Sequence, residues 1–196
     1  MKIKICGLFR SEDIEYINEA KPDFVGFVFA KSHRQVSVET AEKLKKNLDK
    51  NILSVGVFVN EDMNKIAKIC NKKIIDIVQL HGDENDNYIK KLRTLINNKI
   101  IKAVKVKSGE DILRWRNCQA DFLMFDAGTG SGQTFNWNLI ENFIKPYFLA
   151  GGINETNIDE ALKLKPYCID ISSGVETNKI KDKEKILKIV RRVKYV

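Results

Sequence analysis

No run of about 18 apolar residues occurs in this chain, which excludes a membrane-spanning helix. A secretory signal layout is also missing, because Met1-Lys2-Ile3-Lys4-Ile5-Cys6-Gly7 enters a strand-like stretch at once. The four cysteines, Cys6, Cys70, Cys118 and Cys168, form no Cys-x-x-Cys pair, which argues against zinc and dithiol redox sites. Reduced thiols in a cytoplasmic protein are the expectation. Nothing resembles a linker or a low-complexity segment, so residues 1–196 are expected to form one domain. The net charge is +8, but its lysines are scattered along the chain. That spread speaks against nucleic acid as a partner and suits attraction of small anionic substrates.

What the chain does contain is alternation. Apolar, β-rich runs at Ile3–Cys6, Phe24–Phe29, Ile52–Val59, Ile74–Leu80, Ile100–Val106, Phe122–Phe125, Tyr147–Ala150 and Cys168–Ser172 read as strands. Between and after them, Glu12–Ala20, Val38–Asp49, Met63–Asn71, Glu84–Ile96, Gly109–Arg116, Asn138–Ile144, Thr156–Lys163 and Asp182–Val193 read as amphipathic helices. An alternating β/α chain builds a parallel sheet that is covered on both faces or closed on itself. The first strand exit, Cys6-Gly7-Leu8-Phe9-Arg10, is not the Gly-x-Gly-x-x-Gly turn of a doubly wound nucleotide-binding sheet. With about eight β/α units, a compact (β/α)8 barrel of the α/β class is predicted.

The last two strand runs both open into small-residue turns, Ala150-Gly151-Gly152 and Ser172-Ser173-Gly174. Such turns bring backbone N–H groups close to an oxyanion, and the exits of the last two strands are where these barrels commonly bind phosphate. A small phosphorylated, anionic substrate is therefore the expected ligand. The other exits supply Cys6, the Lys31-Ser32-His33-Arg34 loop, His81 and Asp126. They form no metal-ligand cluster and no nucleophile–histidine–carboxylate triad. What they can support is proton transfer on a multiply anionic substrate. Two-residue alternation also puts Lys4 on the face of Cys6 and Asp170 on the face of Ser172, on strands that closure makes neighbours. Lys4 and Asp170 are predicted to pair inside the barrel, since either charge buried alone would be costly.

These motifs resemble the phosphoribosylanthranilate isomerase family of tryptophan biosynthesis. The resemblance runs through Lys4-Ile5-Cys6-Gly7, Phe29-Ala30-Lys31-Ser32-His33-Arg34 and Gln79-Leu80-His81-Gly82. It continues with Asp126 and Gly130-Ser131-Gly132-Gln133-Thr134-Phe135-Asn136-Trp137, then Ala150-Gly151-Gly152-Ile153-Asn154 and Asp170-Ile171-Ser172-Ser173-Gly174-Val175-Glu176. It implies a cofactor-free Amadori rearrangement of N-(5-phosphoribosyl)anthranilate; whether by a monomer or a homodimer the sequence leaves open. By similarity Asp126 is the acid that opens the ribose ring and Cys6 the base that removes the C2 proton. It further implies substrate contacts at Arg34, His81 and Gly132 and at the Gly151, Gly152, Ser173 and Gly174 turns. Arginine suits an aryl carboxylate because its guanidinium is a planar fork. For those roles Cys6 works as a thiolate and Asp126 as a protonated acid, so the site is expected either to shift both groups or to turn over through a minority protonation state. Only Ala127-Gly128-Thr129 separates Asp126 from Gly130, and His33 stands where the family commonly has proline. The related aminoribose isomerase of histidine biosynthesis is the nearest rival, but it uses a carboxylate where this chain has Cys6. A non-catalytic phosphate-sugar binding barrel is the other.

Overall fold

Period-two alternation sorts the residues of each strand between the axis and the outer helices. The computed structural model describes residues 1–128, 134–140 and 143–195. Eight parallel strands close into a barrel in chain order: β1 (Lys2–Cys6), β2 (Phe24–Val28), β3 (Leu53–Phe58), β4 (Ile77–Leu80), β5 (Lys99–Lys105), β6 (Phe122–Asp126), β7 (Tyr147–Leu149) and β8 (Cys168–Ile171). The β8–β1 seam pairs Lys4 with Asp170 in register. Helices α1 (Ser11–Ala20), α2 (Val38–Asn47), α3 (Met63–Asn71), α4 (Asp86–Arg93), α5 (Gly109–Trp115), α6 (Ile158–Lys163) and α7 (Lys183–Lys194) cover it. None of the described helices is long and apolar enough to cross a membrane.

Two apolar layers follow from the alternation. Ile3 and Ile5 of β1 pack with Ile14 and Ile17 of α1 and Ile186 and Ile189 of α7. Phe24, Val55, Ile77, Ile101, Met124, Phe148 and Cys168, displaced by one position along their strands, fill the axis. Lys4 lies in that interior, fully buried, with Nζ 2.9 Å from Asp170 Oδ1. The predicted pair is present.

Three local predictions are corrected. The stretch predicted as a sixth helix, Asn138–Ile144, is a short 3-10 turn at Trp137–Ile140 in its described part. Asn136 accepts from the Asn138 N–H at 3.2 Å, a local bond that competes with helix. The fourth helix starts at Asp86 and not at Glu84, because Asn85 caps it and Glu84 is buried as a clamp. Glu84 accepts from Asn60 N, Gly82 N and Lys102 Nζ, tying the exits of β3 and β4 to β5. Finally, β8 is followed by a 3-10 turn (Ser173–Val175) and a hairpin that the strand patterns did not announce. Its strands are β9 (Glu176–Thr177) and β10 (Ile180–Lys181). The connecting Asn178 and Lys179 both have positive φ, the arrangement of a type I′ turn.

Candidate active site

The C-terminal ends of the strands open into one cavity of about 640 Å³. Cys6, Arg34, His81, Asp126, Gly151, Gly152 and Ser173 all line it, so the barrel gathers most of the predicted site residues. Gly174 lines an adjoining recess together with Gly152 and Ser173. Gly132 lies outside the described residues. A larger surface groove, about 800 Å³, runs between α6 and α7, but it holds none of the strand-end groups.

The Cys6 thiol occupies space that a side chain on β2 would fill. A Cβ at Gly26, its register partner, would lie 2.5 Å from Sγ. Burial pushes the Cys6 thiol up, Lys4 beside it pulls the other way, and Asp170 adds to the rise. The net direction is upward, which favours the thiol. Lys4 itself stays charged: burial opposes its charge, but the Asp170 carboxylate beside it raises it overall.

Asp126 ends β6, with Oδ2 3.3 Å from His81 Nε2 and Oδ1 accepting from Gly128 N at 2.8 Å. Burial raises its carboxyl, but His81, the Gly128 N–H and Lys4 outweigh burial and leave it lowered. Gln79 Nε2 lies 2.8 Å from His81 Nδ1. With the amide as donor, the ring proton sits on Nε2 and points at Asp126. Both shifts thus favour the reverse of the working forms, which is the second of the two expected routes, turnover through a minority protonation state. His81 and a backbone N–H offset burial at Asp126, and burial outweighs Lys4 at Cys6.

The glycine turns after β7 and β8 face the same end. Gly151 and Gly152 have φ of +88° and +67°. A Cβ on Gly174 would lie 2.1 Å from the Ile153 carbonyl oxygen, so glycine lets the two turns pack together. Among the described residues, the N–H groups of Gly152, Ser173 and Gly174 have no acceptor.

Arg34 already has a carboxylate on one edge of its fork. It donates from Nε and Nη2 to Glu176 Oε1 and Oε2 at 2.7 and 2.8 Å. Lys181, fully buried, donates to the same Glu176 Oε1 at 2.6 Å and to the Ser172 carbonyl at 2.9 Å.

Residues 3–192 match the family described as N-(5'phosphoribosyl)anthranilate (PRA) isomerase. The chain belongs to that family. A relative from Endomicrobium trichonymphae, named N-(5'-phosphoribosyl)anthranilate isomerase, is 48% identical over 196 residues, covering 97% of this chain and 96% of its own. The phosphoribosylanthranilate isomerase of Thermotoga maritima superposes with a TM-score of 0.91 at 34% identity, with 100% of both chains covered. A phosphoribosylanthranilate isomerase solved in complex with reduced 1-(o-carboxyphenylamino)-1-deoxyribulose 5-phosphate gives a TM-score of 0.88 at 33% identity, again over 100% of both chains. The chain is thus an aldose–ketose isomerase of tryptophan biosynthesis, built as a (β/α)8 barrel.

Sequence reasoning gave no role to Gln79, Glu176 or Lys181, although Gln79 and Glu176 stand within motifs it singled out. Glu176 and Lys181 alternate with the turn of a two-residue-per-strand hairpin, too short to show a period. In the sequence Gln79 reads as a strand residue; its parity with His81, two positions on, is the available signal.

Proposed function

We propose that this site converts N-(5'-phosphoribosyl)anthranilate to 1-(2-carboxyphenylamino)-1-deoxyribulose 5-phosphate with Asp126 as acid and Cys6 as base. The observation that carries this reading is the convergence of Cys6 and Asp126 on one cavity, with the β7 and β8 glycine turns between them in the ring. A phosphate held at those turns would suspend the ribose between the two groups. Asp126 gives its proton to the ring oxygen as the C1–O bond breaks and the anilino nitrogen forms the imine. Cys6 then takes the C2 proton, and electrons move toward the nitrogen to give an enolamine. That intermediate becomes the ketone when C1 gains a proton and the C2 hydroxyl loses one.

Loss of the anthranilate-adduct fluorescence, followed with the purified chain, tests the reaction as a whole. Rapid loss matched by ketose formation is expected; no acceleration over buffer would sink the proposal. The aminoribose substrate of histidine biosynthesis is expected to be left untouched. Reduced, free cysteines are in keeping with a cytoplasmic setting, and all four are free thiols.

For phosphate, the unpartnered N–H groups at Gly152, Ser173 and Gly174 support binding by backbone donors. Gly152→Val adds a branched side chain where φ is +67°, and should block close approach of the phosphate. A KM rise of about tenfold or more is expected in a protein that still unfolds cooperatively. Unchanged affinity in a stable variant would place the phosphate elsewhere.

Arg34 is assigned to the anthranilate carboxylate. Arg34→Lys keeps a positive charge but loses the planar fork, so it should recover only part of the KM loss of Arg34→Ala. Full recovery by lysine would mean that charge alone suffices.

A further inference from the structure

The Arg34 guanidinium has two edges able to grip a carboxylate, and the protein already fills one. Glu176 takes the side-on edge, Nε and Nη2, while Nη1 has no partner among the described residues. Resting on the assignment of Arg34 to the ligand carboxylate, we propose that Glu176 is a positioning residue. By holding the Nε/Nη2 edge it turns the Nη1/Nη2 edge toward the ligand, and so selects substrates that carry a carboxylate there.

The hold is built to be rigid. The Glu176 side chain is 5% exposed, and burial would raise its carboxyl, but Arg34 and Lys181 bring it below its ordinary value. Lys181 stands opposite Glu176 in the β9–β10 hairpin, and Lys185 Nζ donates to the Glu176 carbonyl at 2.9 Å. Arg10 Nη2 in turn donates to the Lys181 carbonyl at 3.2 Å. On the other side, a Cβ at Gly7 would lie 2.3 Å from Arg34 Cδ, so the arginine stem rests on the exit of β1 beside Cys6. Two cations share one carboxylate, which leaves the triad net positive until a ligand anion arrives. An arginine free to swing would have to be ordered at each binding event; Glu176 orders it beforehand.

The test compares Glu176→Ala, Glu176→Gln and Arg34→Ala in the full chain. KM and kcat are measured with phosphoribosylanthranilate, and ribose 5-phosphate serves as a probe without the anthranilate. Glu176→Ala is expected to raise KM by about tenfold to a hundredfold, with kcat changed far less. Ribose 5-phosphate should bind as before. Glu176→Gln, which keeps the shape and one acceptor oxygen, should recover part of the loss and guards against misfolding. In an Arg34→Ala background, removing Glu176 should have little further effect. An unchanged KM for folded Glu176→Gln and Glu176→Ala would overturn the proposal, as would tighter binding, the sign of a carboxylate that merely competes for the fork. Equal losses for both ligands would also overturn it, as a purely structural role. If Arg34→Ala leaves KM unchanged, the carboxylate assignment itself falls and takes this proposal with it. If Arg34→Ala raises KM and Glu176→Ala does not, the positioning role alone falls.

Discussion

Cys6→Ala and Asp126→Asn are each expected to lower kcat by roughly 10²–10⁴-fold, the usual worth of a positioned base or acid. Cys6→Ser should fare no better than alanine, because a hydroxyl holds its proton far more tightly than a thiol. Binding of a reduced product analogue should change little, since neither substitution removes a phosphate-turn N–H or the Arg34 guanidinium. Near-normal turnover in folded Cys6→Ala would end the base assignment. The pH profile adds a sharper check. The shifts at Cys6 and Asp126 favour thiol and carboxylate, whereas the reaction starts from thiolate and carboxylic acid. The two forms hold the same number of protons, so pH does not alter their ratio; only the ends of the profile fall. On the acid side Cys6 and Asp126 are both protonated and the base is lost. On the alkaline side both are ionised and the acid is lost. Asp126 lies below its ordinary value of about 3.9 and Cys6 above about 8.5, so kcat/KM should be flat between them. The substrate phosphate, which titrates near pH 6, has to be divided out first. A narrow bell centred on neutrality after that correction would show that neither group sets the limbs. One turnover leaves Cys6 protonated and Asp126 ionised, the arrangement that the two shifts favour, so a proton must return from Cys6 to Asp126 before the next.

Lys4→Met should cost about 3–5 kcal/mol of stability, because it strands the Asp170 carboxylate in the barrel beside Cys6. For a chain of this size each kcal/mol lowers Tm by about 2–4 °C. The expected drop is large enough to read in a thermal melt, provided unfolding is reversible. Lys4→Met combined with Asp170→Leu replaces the pair by apolar groups and should recover most of the loss. Activity should not return with stability. Lys4 is the strongest influence that favours the Cys6 thiolate, so without it the thiolate form becomes rarer. Recovery of both stability and turnover in the double variant would remove Lys4 from the chemistry. A melt of Lys4→Met unchanged from the parent would contradict the buried pair itself.

The barrel was legible in the sequence because each strand carries its own period-two signal, and a few residues at its exit say which end is chemical. Lys4–Asp170 could even be inferred across the seam, since strand parity and closure alone bring them together. Glu176 could not. Its partner Arg34 is 142 positions away, and no local pattern links a hairpin residue to a loop after the second strand. Glu84 misled for a related reason. An acidic residue before an amphipathic run looks like a helix start, and only Lys102 on β5 makes it a clamp. Protonation was the least legible property. Residue type gives the reference value, while the shifts at Cys6 and Asp126 depend on burial and on His81 and Lys4 reaching them in space.

The same seam also governs how the chain matures as it is made. Lys4 leaves the ribosome well before its counter-charge Asp170, which follows 166 positions later. At about 5–20 residues per second, Lys4 waits roughly 10–30 s for the partner that makes its burial tolerable. Until β8 arrives, β1 has an unpaired edge on one side and a solvated cation on its inner face. That cation discourages premature pairing of the edge with another chain, in the way that edge lysines do in finished sheets. A charge that looks like a burden in the completed interior thus protects the unfinished one, and the barrel can close only when the last strand supplies the carboxylate.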